Sequence, residues 1–351
     1  MDVNKIINYD SRKLEDIIDQ KSIHFIMFSP PYWNIRNYGY EGQIGYKQTY
    51  NEFLESMKQV VKKCFNILKD GRFMAIITGT VVSNEGMKFL AGDFINTCSD
   101  VGFIFRKDII WNKPRGTTKW QRGATLFTQN PYPLKFNTNI SHEYILIFSK
   151  GEIETINYKK LEVMPFTREF IRSVSYSVWD IKPVNSPIKD EGHIAPYPDE
   201  LCEILIELFS LPEEIVLDPF CGSGTTCKIA KKMGRLFIGI DKSKKYCDIA
   251  QKNVNNIEFN SFKSPNIANE NYLEIYYNTQ QLEEEIIKIL ENNSYTKDEL
   301  FKILQRYCTF NKLKNTLARL NKKKMIWYDR RNKKWNSISS EIKKKNLGDF
   351  F

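Results

Sequence analysis

The stretch IVLDPFCGSGTTCKIAKKMGRLFIGID, residues 215–241, decides the fold. It predicts a strand at Ile215–Leu217, a glycine-rich loop, a helix at Thr225–Met233 and a second strand at Leu236–Ile240 that ends at Asp241. Two short apolar runs separated by one helix are typical of a βαβ unit with parallel strands. The loop should then lie at the carboxyl edge of the sheet, where open α/β sheets bind their ligands.

The composition of the loop DPFCGSGTT, residues 218–226, limits the ligand. Its glycines let a ligand approach the backbone, and the helix that follows offers free N–H groups. The loop is neither GxGxxG nor the phosphate loop GxxxxGK[ST], so a nucleoside triphosphate is disfavoured. Asp241 lies 23 residues after Asp218, where an acidic residue can accept hydrogen bonds from a ribose. The pattern favours an adenosine-containing ligand without a pyrophosphate; the alternative is a loop that serves only the turn.

Outward from this unit, short apolar runs alternate with helical segments. We predict strands at Ile23–Phe28, Arg72–Thr78, Phe103–Trp111, Glu143–Phe148, Ile215–Leu217, Leu236–Ile240 and Ile257–Phe259. The predicted helices between them are Tyr50–Leu68, Gly86–Asp100, Pro198–Phe209, Thr225–Met233 and Lys244–Asn255. This alternation, with continuous apolar strands such as IHFIMF, indicates an α/β fold with a doubly wound, mostly parallel sheet of seven strands.

A second constellation, Ser29-Pro30-Pro31-Tyr32, follows the strand Ile23–Phe28. The two prolines stiffen the loop and remove backbone donors while their carbonyls remain as acceptors. A side-chain oxygen and a carbonyl that both accept from an amine would favour a pyramidal nitrogen, whose lone pair can attack an incoming methyl group. Tyr32 would stack on a base flipped out of its helix. We therefore predict that these four residues are catalytic; the alternative is an ordinary turn after a strand.

Together, DPFCGSGTT, FIGID and SPPYW resemble the motifs of the DNA amino-methyltransferases, which modify cytosine N4 or adenine N6. The order, with SPPY first, is similar to the β group of that family, over roughly residues 20–255. The resemblance implies a Rossmann-like methyltransferase fold and S-adenosylmethionine as donor. The segment GHIAPYPDEL, which contains His193, resembles the part that closes over the methionine moiety. The resemblance implies further donor-binding residues: Asp218, Phe220, Gly222, Ser223, Gly224 and Thr225, with Asp241 at the ribose.

The target base is indicated by Ser29. Within the family, Ser at this position is commoner among cytosine-N4 enzymes, and Asp or Asn among adenine-N6 enzymes. We expect a site-specific cytosine-N4 DNA methyltransferase of a restriction-modification system, with adenine N6 as the alternative. Methylation of cytosine C5 is excluded, because it needs a cysteine nucleophile, typically in a Pro-Cys dipeptide, and the chain has none. A structured RNA substrate is a further alternative, which the resemblance disfavours because the family acts on DNA. A non-catalytic DNA-binding regulator is another, which the intact motifs disfavour.

The chain divides by charge into two parts. Residues 294–351 contain 16 Lys and Arg against 5 Asp and Glu, whereas the remainder has 36 against 37. We predict a catalytic domain at residues 1–279, with a candidate target-recognition region at 151–191, and a small, basic, winged-helix-like module at 280–351. Such a module favours contact with double-stranded DNA. The alternatives are a solvated basic tail and an oligomerisation module.

Composition sets further limits. The seven cysteines form no CxxC pair and the chain has three histidines, so we expect reduced thiols and no metal site. No apolar run reaches the ~18 residues of a membrane span. The start of the chain lacks the apolar region of a secretory signal, which predicts a cytoplasmic protein. The expected partners are double-stranded DNA and a cognate restriction endonuclease; the sequence does not set an oligomeric state.

Overall fold

The structure is a computed structural model, described here for residues 2–35, 37, 39–83, 86–118, 122–155, 166–184, 196–257, 279–304, 310–329 and 331–337. The chain divides into two compact units. The first comprises the described residues of Met1–Ile156 and Arg168–Ser264, and the second those of Asn157–Thr167 and Pro265–Phe351. The predicted boundary at residues 279 and 280 remains a prediction, because residues 258–278 lie outside the described part.

The first unit is built on a sheet of eight strands among its described residues. The sheet order is β1-β10-β9-β2-β3-β7-β6-β8. All neighbours are parallel except that β7 runs antiparallel to both β3 and β6. The strands of the chain, including a small hairpin of β4 and β5, are β1 Lys5–Asn8, β2 Ile23–Phe28, β3 Leu68–Thr78, β4 Val81–Ser83, β5 Gly86–Lys88, β6 Ile104–Asn112, β7 His142–Ser149, β8 Val178–Asp180, β9 Ile215–Asp218 and β10 Leu236–Asp241.

Helices cover both faces of this sheet. They follow a 3-10 helix at Ser11–Asp16 and are α1 Tyr50–Ile67, α2 Leu90–Val101, α3 Arg122–Gln129, α4 Arg168–Val174, α5 Asp199–Phe209, α6 Thr225–Lys232 and α7 Lys244–Asn255. Helix α1 begins at a capping box, in which Thr49 accepts from the Glu52 N–H and Glu52 accepts from the Thr49 N–H. Helix α2 ends where Gly102 adopts a left-handed conformation.

Strand β2 shows why the apolar runs are continuous. Its side chains alternate, so that Phe25 and Met27 belong to the core cluster on one face and Ile26 and Phe28 to the cluster on the other. Both faces are covered by helices, so five of the six residues of β2 are apolar, His24 being the exception. The doubly wound, mostly parallel α/β fold is thereby confirmed.

Four details differ from the sequence prediction. The sheet gains the edge strands β1 and β8, which have four and three residues and are too short to show periodicity. Of the predicted strand Ile257–Phe259, only Ile257 is described, and it lies in a bend rather than a strand. The predicted helix from Gly86 begins at Leu90, because Gly86–Lys88 pairs with Val81–Ser83. No helix was predicted between the strands Phe103–Trp111 and Glu143–Phe148, but the structure has helix α3 there.

The second unit contains three helices and a hairpin among its described residues. These are α8 Thr279–Asn292, α9 Lys297–Leu304, α10 Phe310–Lys322, β11 Ile326–Asp329 and β12 Lys334–Ser337. Leucines of all three helices pack into one core with Ile286 and Ile326. Among the described helices of either unit, none has the length and apolar character that a membrane span requires.

Candidate active site

Both predicted motifs open into one cavity of about 500 Å³. The cavity lies at the carboxyl edge of the parallel strands, where β2 and β9 end in Phe28 and Asp218. The rings of Phe28 and Phe220 are 5.6 Å apart, so the two loops are packed side by side. The cavity is lined by these predicted site residues: Ser29, Pro30, Pro31, Tyr32, Phe220, Gly222, Ser223, Thr225 and Asp241.

Asp218 does not line the cavity; its buried carboxylate instead binds groups of the glycine-rich loop. The residue is 1% exposed, and its carboxylate accepts hydrogen bonds from the Phe220 N–H at 2.9 Å, the Thr226 hydroxyl at 2.5 Å and the Tyr197 hydroxyl at 2.8 Å. Burial raises the pKa of Asp218 to about 6, although these three donors lower it. The structure therefore gives Asp218 a contact with the loop rather than with the cavity.

Gly224 is also absent from the cavity wall, because it faces helix α7. Its φ is +82°, and a Cβ added there would come within 2.8 Å of the Ala250 Cβ. The residue thus allows the left-handed start of α6 and the close approach of α7 at the same point.

Asp241 ends β10 with its carboxylate in the cavity. The carboxylate accepts from the Gly222 N–H at 3.1 Å and from the Ser243 N–H at 2.8 Å. These bonds hold the glycine-rich loop beside the carboxylate, while burial raises the pKa of Asp241. Each carboxylate oxygen has a second lone pair, so Asp241 can also accept from hydroxyls of a ligand.

The segment after β2 is held by packing on both sides of Tyr32. The Trp33 indole N–H donates to the Gln48 carbonyl at 2.8 Å, and its ring packs edge-on against Tyr50. The Tyr32 hydroxyl donates to the Glu143 carboxylate at 3.4 Å. Burial raises the pKa of Tyr32 well above its usual range, and the charge of Glu143 raises it further, so the phenol remains protonated.

Sequence reasoning missed Glu143 and Lys113, which form an ion pair in the cavity wall. The two side chains are 20% and 18% exposed. Lys113 also lies over the Trp111 ring, 4.6 Å from its centre. Because β7 runs antiparallel to β3, Glu143 near the start of β7 reaches the edge at which the parallel strands end. The one signal in the sequence is a charged residue at the beginning of an otherwise apolar strand.

The remaining predictions concern His193 and metals. His193 lies outside the described residues, so its predicted contact with the donor remains a prediction. No group of His, Cys, Asp and Glu that could hold a metal is found among the residues that the structure describes. The six cysteines in those residues are buried and form no disulfide, and they include Cys221 in the cavity wall.

The cavity fits S-adenosylmethionine by its size and by the chemistry of its wall. Its volume lies within the roughly 300–1,000 Å³ of small-molecule sites. Asp241 offers an acceptor for ribose hydroxyls, and Phe220 and Tyr246 offer apolar surface for a purine ring. The loop around Gly222 leaves backbone accessible to the rest of the ligand.

The chain is similar to several type II methyltransferases. Type II methyltransferase M1.MboII of Moraxella bovis is 28% identical over 74% of this chain and 100% of its own length. Type II methyltransferase M.SmaI of Serratia marcescens is 24% identical over 71% of this chain and 90% of its own.

Solved structures share the fold. TTHA0409 of Thermus thermophilus, classed as a DNA modification methylase and solved with S-adenosyl-L-methionine, has a TM-score of 0.57 and 26% identity, covering 74% of this chain and 95% of that one. PvuII DNA methyltransferase, which is cytosine-N4-specific, has a TM-score of 0.57 and 20% identity, covering 72% and 87%.

The sequence profile of the DNA methylase family N6_N4_Mtase matches residues 23–252, which include both motifs and most of the eight-stranded sheet. The chain therefore belongs to the S-adenosylmethionine-dependent DNA amino-methyltransferases that act at N4 or N6.

Proposed function

We propose that this protein is a site-specific DNA methyltransferase that transfers the methyl group of S-adenosylmethionine to N4 of cytosine. The observation that carries the proposal is a neutral hydroxyl, that of Ser29, lining the same cavity as Asp241. A hydroxyl accepts a hydrogen bond as a carboxylate does, but it adds no negative charge beside the base. Within the family, Ser at this position is commoner in enzymes that act on cytosine N4.

In the proposed mechanism, the residues of the cavity position the amino group. Ser29 and the Pro30 carbonyl accept from the two N–H bonds of the amine, and the ring of Tyr32 stacks on the flipped cytosine. Asp241 holds the ribose of the donor, with Phe220, Gly222, Ser223 and Thr225 along the rest of the molecule. When bound, S-adenosylmethionine supplies a methyl carbon that bonds to the amino nitrogen as its carbon–sulfur bond breaks, with the electron pair leaving on a neutral thioether. Positioning of the two reactants accounts for most of the rate.

The partners of the protein follow from the same proposal. Double-stranded DNA is the substrate, and the region 151–191, of which α4 and β8 are described, is the proposed site of target recognition. The relatives M1.MboII and M.SmaI are type II methyltransferases, which supports a role in a restriction-modification system with a cognate endonuclease. A DNA substrate also favours a cytoplasmic location.

The test is the identity of the methylated base. Unmethylated DNA is incubated with the protein and methyl-labelled S-adenosylmethionine, digested to nucleosides and separated by mass spectrometry. We expect N4-methylcytosine and no label in 5-methylcytosine. Label in N6-methyladenine alone would refute cytosine N4 and establish the adenine alternative. A protein that binds DNA and donor but leaves every base unlabelled would instead be the non-catalytic regulator.

A further inference from the structure

The second unit has the chain order of a winged helix. Between α8 and α9, Tyr295 forms an antiparallel bridge with Trp335 of β12. The Tyr295 N–H donates to the Trp335 carbonyl at 3.2 Å and the Trp335 N–H to the Tyr295 carbonyl at 2.7 Å. The order is thus helix, bridging strand, helix, helix, hairpin. In helix-turn-helix modules of this kind the helix after the turn enters the major groove of DNA, which here is α10.

Charge within this unit is segregated onto α10 and the hairpin. Residues 310–337 contain ten Lys and Arg against the single acid Asp329. Residues 279–304, which hold α8 and α9, contain three Lys and Arg against six Asp and Glu. A duplex presents one negative charge per ~1.7 Å of its axis, so this distribution favours one side of the unit for a polyanion.

Two ion pairs with α8 show which side of α10 is less available to bind a polyanion. Arg319 and Lys323 both pair with Glu283 of α8, the second at 3.0 Å, so their charge is partly neutralised. The exposed residues of α10 away from that side are Lys314, Asn315, Ala318, Asn321 and Lys322. Ala318 lies at the centre of this face, by helical geometry, and its small side chain lets the helix axis approach base edges closely.

We propose that this face of α10 and the β11–β12 hairpin form a duplex-binding surface, with Lys314 and Lys322 on phosphates and Asn315 at base edges. The inference rests on the proposed function, since it takes DNA as the substrate. Asparagine is the residue type that pairs with adenine through two hydrogen bonds in the major groove. The exposed residues Arg331 and Lys333 of the hairpin turn supply additional phosphate contacts.

The test measures the affinity of the full chain for a short duplex at several salt concentrations. For Lys314→Ala/Lys322→Ala, we expect weaker binding and a slope of log K against log salt that is smaller by about 1.8, since each phosphate contact contributes ~0.9. Lys288→Ala on the acidic helix α8 is the matched control and should keep the wild-type slope. If the double variant keeps the same slope as the control, the proposed duplex-binding surface is refuted. The salt dependence of binding and methyl transfer by the wild type are measured separately. The binding surface can therefore be refuted while the proposed function holds, and the proposed function can be refuted while the binding surface holds.

A separate observation concerns the proton that the amine must lose. The Tyr32 hydroxyl donates to the Glu143 carboxylate at 3.4 Å, and the Ser29 side chain lines the same cavity as both residues. Two hydroxyls and a carboxylate therefore meet in one cavity, and the Tyr32 hydroxyl already points its proton at Glu143. Lys113 donates to the other oxygen of Glu143, so both oxygens of this carboxylate have a donor.

We infer that Ser29, Tyr32 and Glu143 form a proton relay for the proposed reaction, with Glu143 as the final acceptor. As the amino nitrogen gains its methyl group, one N–H bond breaks and leaves its electron pair on nitrogen. The proton passes to the Ser29 oxygen, the Ser29 proton to the Tyr32 oxygen, and the Tyr32 proton to the Glu143 carboxylate. Ser29 and Tyr32 end with their original number of protons, and Glu143 ends as the neutral acid.

Single-turnover transfer by Glu143→Gln, Tyr32→Phe and the double variant tests the relay. Gln can still accept from Tyr32 but takes no proton, and Phe keeps the stacking ring. Each single change should slow transfer by about 10²-fold, the lower end for general bases, with little change in donor or DNA affinity. The double variant should be no slower than the slower single variant, because the two residues act as a unit.

A matched control separates this role from the loss of an ion pair. Glu15 pairs with Lys63 outside the cavity, so Glu15→Gln removes a similar pair and should transfer at the wild-type rate. A rate for Glu143→Gln within threefold of the wild type, or single effects that multiply in the double variant, overturns the relay. Failure of the wild type to label DNA would instead overturn the proposed function.

Discussion

The substitution Gly224→Ala tests how tightly the glycine-rich loop is packed. Gly224 has a φ of +82°, and its added Cβ would lie 2.8 Å from the Cβ and 3.0 Å from the Cα of Ala250. A left-handed conformation costs an L-residue about 1–2 kcal/mol. Overpacking against a helix costs a further ~1–3 kcal/mol. We therefore expect the free energy of unfolding to fall by about 2–5 kcal/mol.

Gly116 is the matched control, since its φ is +83° and nothing lies within 4 Å of an added Cβ. Gly116→Ala should lose only the conformational part, about 1–2 kcal/mol. Urea unfolding of both variants gives the difference. Combining Gly224→Ala with Ala250→Gly should recover part of the loss, even though glycine in a helix costs ~1 kcal/mol by itself. Equal losses for the two alanine variants, or strict additivity in the combination, would refute the packing argument.

Three further predictions concern the cavity and its support. Ser29→Ala and Tyr32→Ala should abolish or greatly slow methyl transfer, while the donor affinity measured by calorimetry changes little. A large loss of donor affinity in both variants would contradict the proposal that these residues contact the target base. Asp241→Ala should weaken donor binding by roughly 10- to 100-fold, since a hydrogen bond to a charged group contributes ~1.5–3 kcal/mol; unchanged calorimetric affinity would exclude the ribose contact. The stability of the wild type relative to Asp218→Asn should fall as the pH rises from about 4 to about 6, because the folded state binds the Asp218 proton more tightly than the unfolded chain. Urea unfolding at several pH values would show this fall, of about 3 kcal/mol in total, and a flat difference would contradict the raised pKa.

The fold was predictable because its central strands either form clear apolar runs, as β2 does, or flank the recognisable glycine-rich loop, as β9 and β10 do. IHFIMF is apolar except for His24 because both faces of β2 are covered, and the segment from Ile215 to Asp241 shows the βαβ period directly. The edge strands β1 and β8 escaped prediction, because strands of four and three residues with mixed burial resemble loops.

The site was predictable only in part. The loop motifs predicted that Ser29 and Asp241 share one cavity, which they do, because each motif lies within a few residues of a strand end. They did not distinguish Asp218, which holds the loop from below, from residues that reach the cavity. Glu143 could not be found from its spacing, because its position depends on the antiparallel direction of β7. Strand direction follows from tertiary pairing and leaves no periodic signal.

The most direct test is a crystal structure of the protein with bound S-adenosylmethionine. It should show the ribose hydroxyls on Asp241 and the methyl carbon facing the space beside Ser29, where a target nitrogen could approach to ~3–3.5 Å. A donor bound in another cavity, or one whose methyl carbon is separated from Ser29 by a wall of side chains, would contradict the shared site.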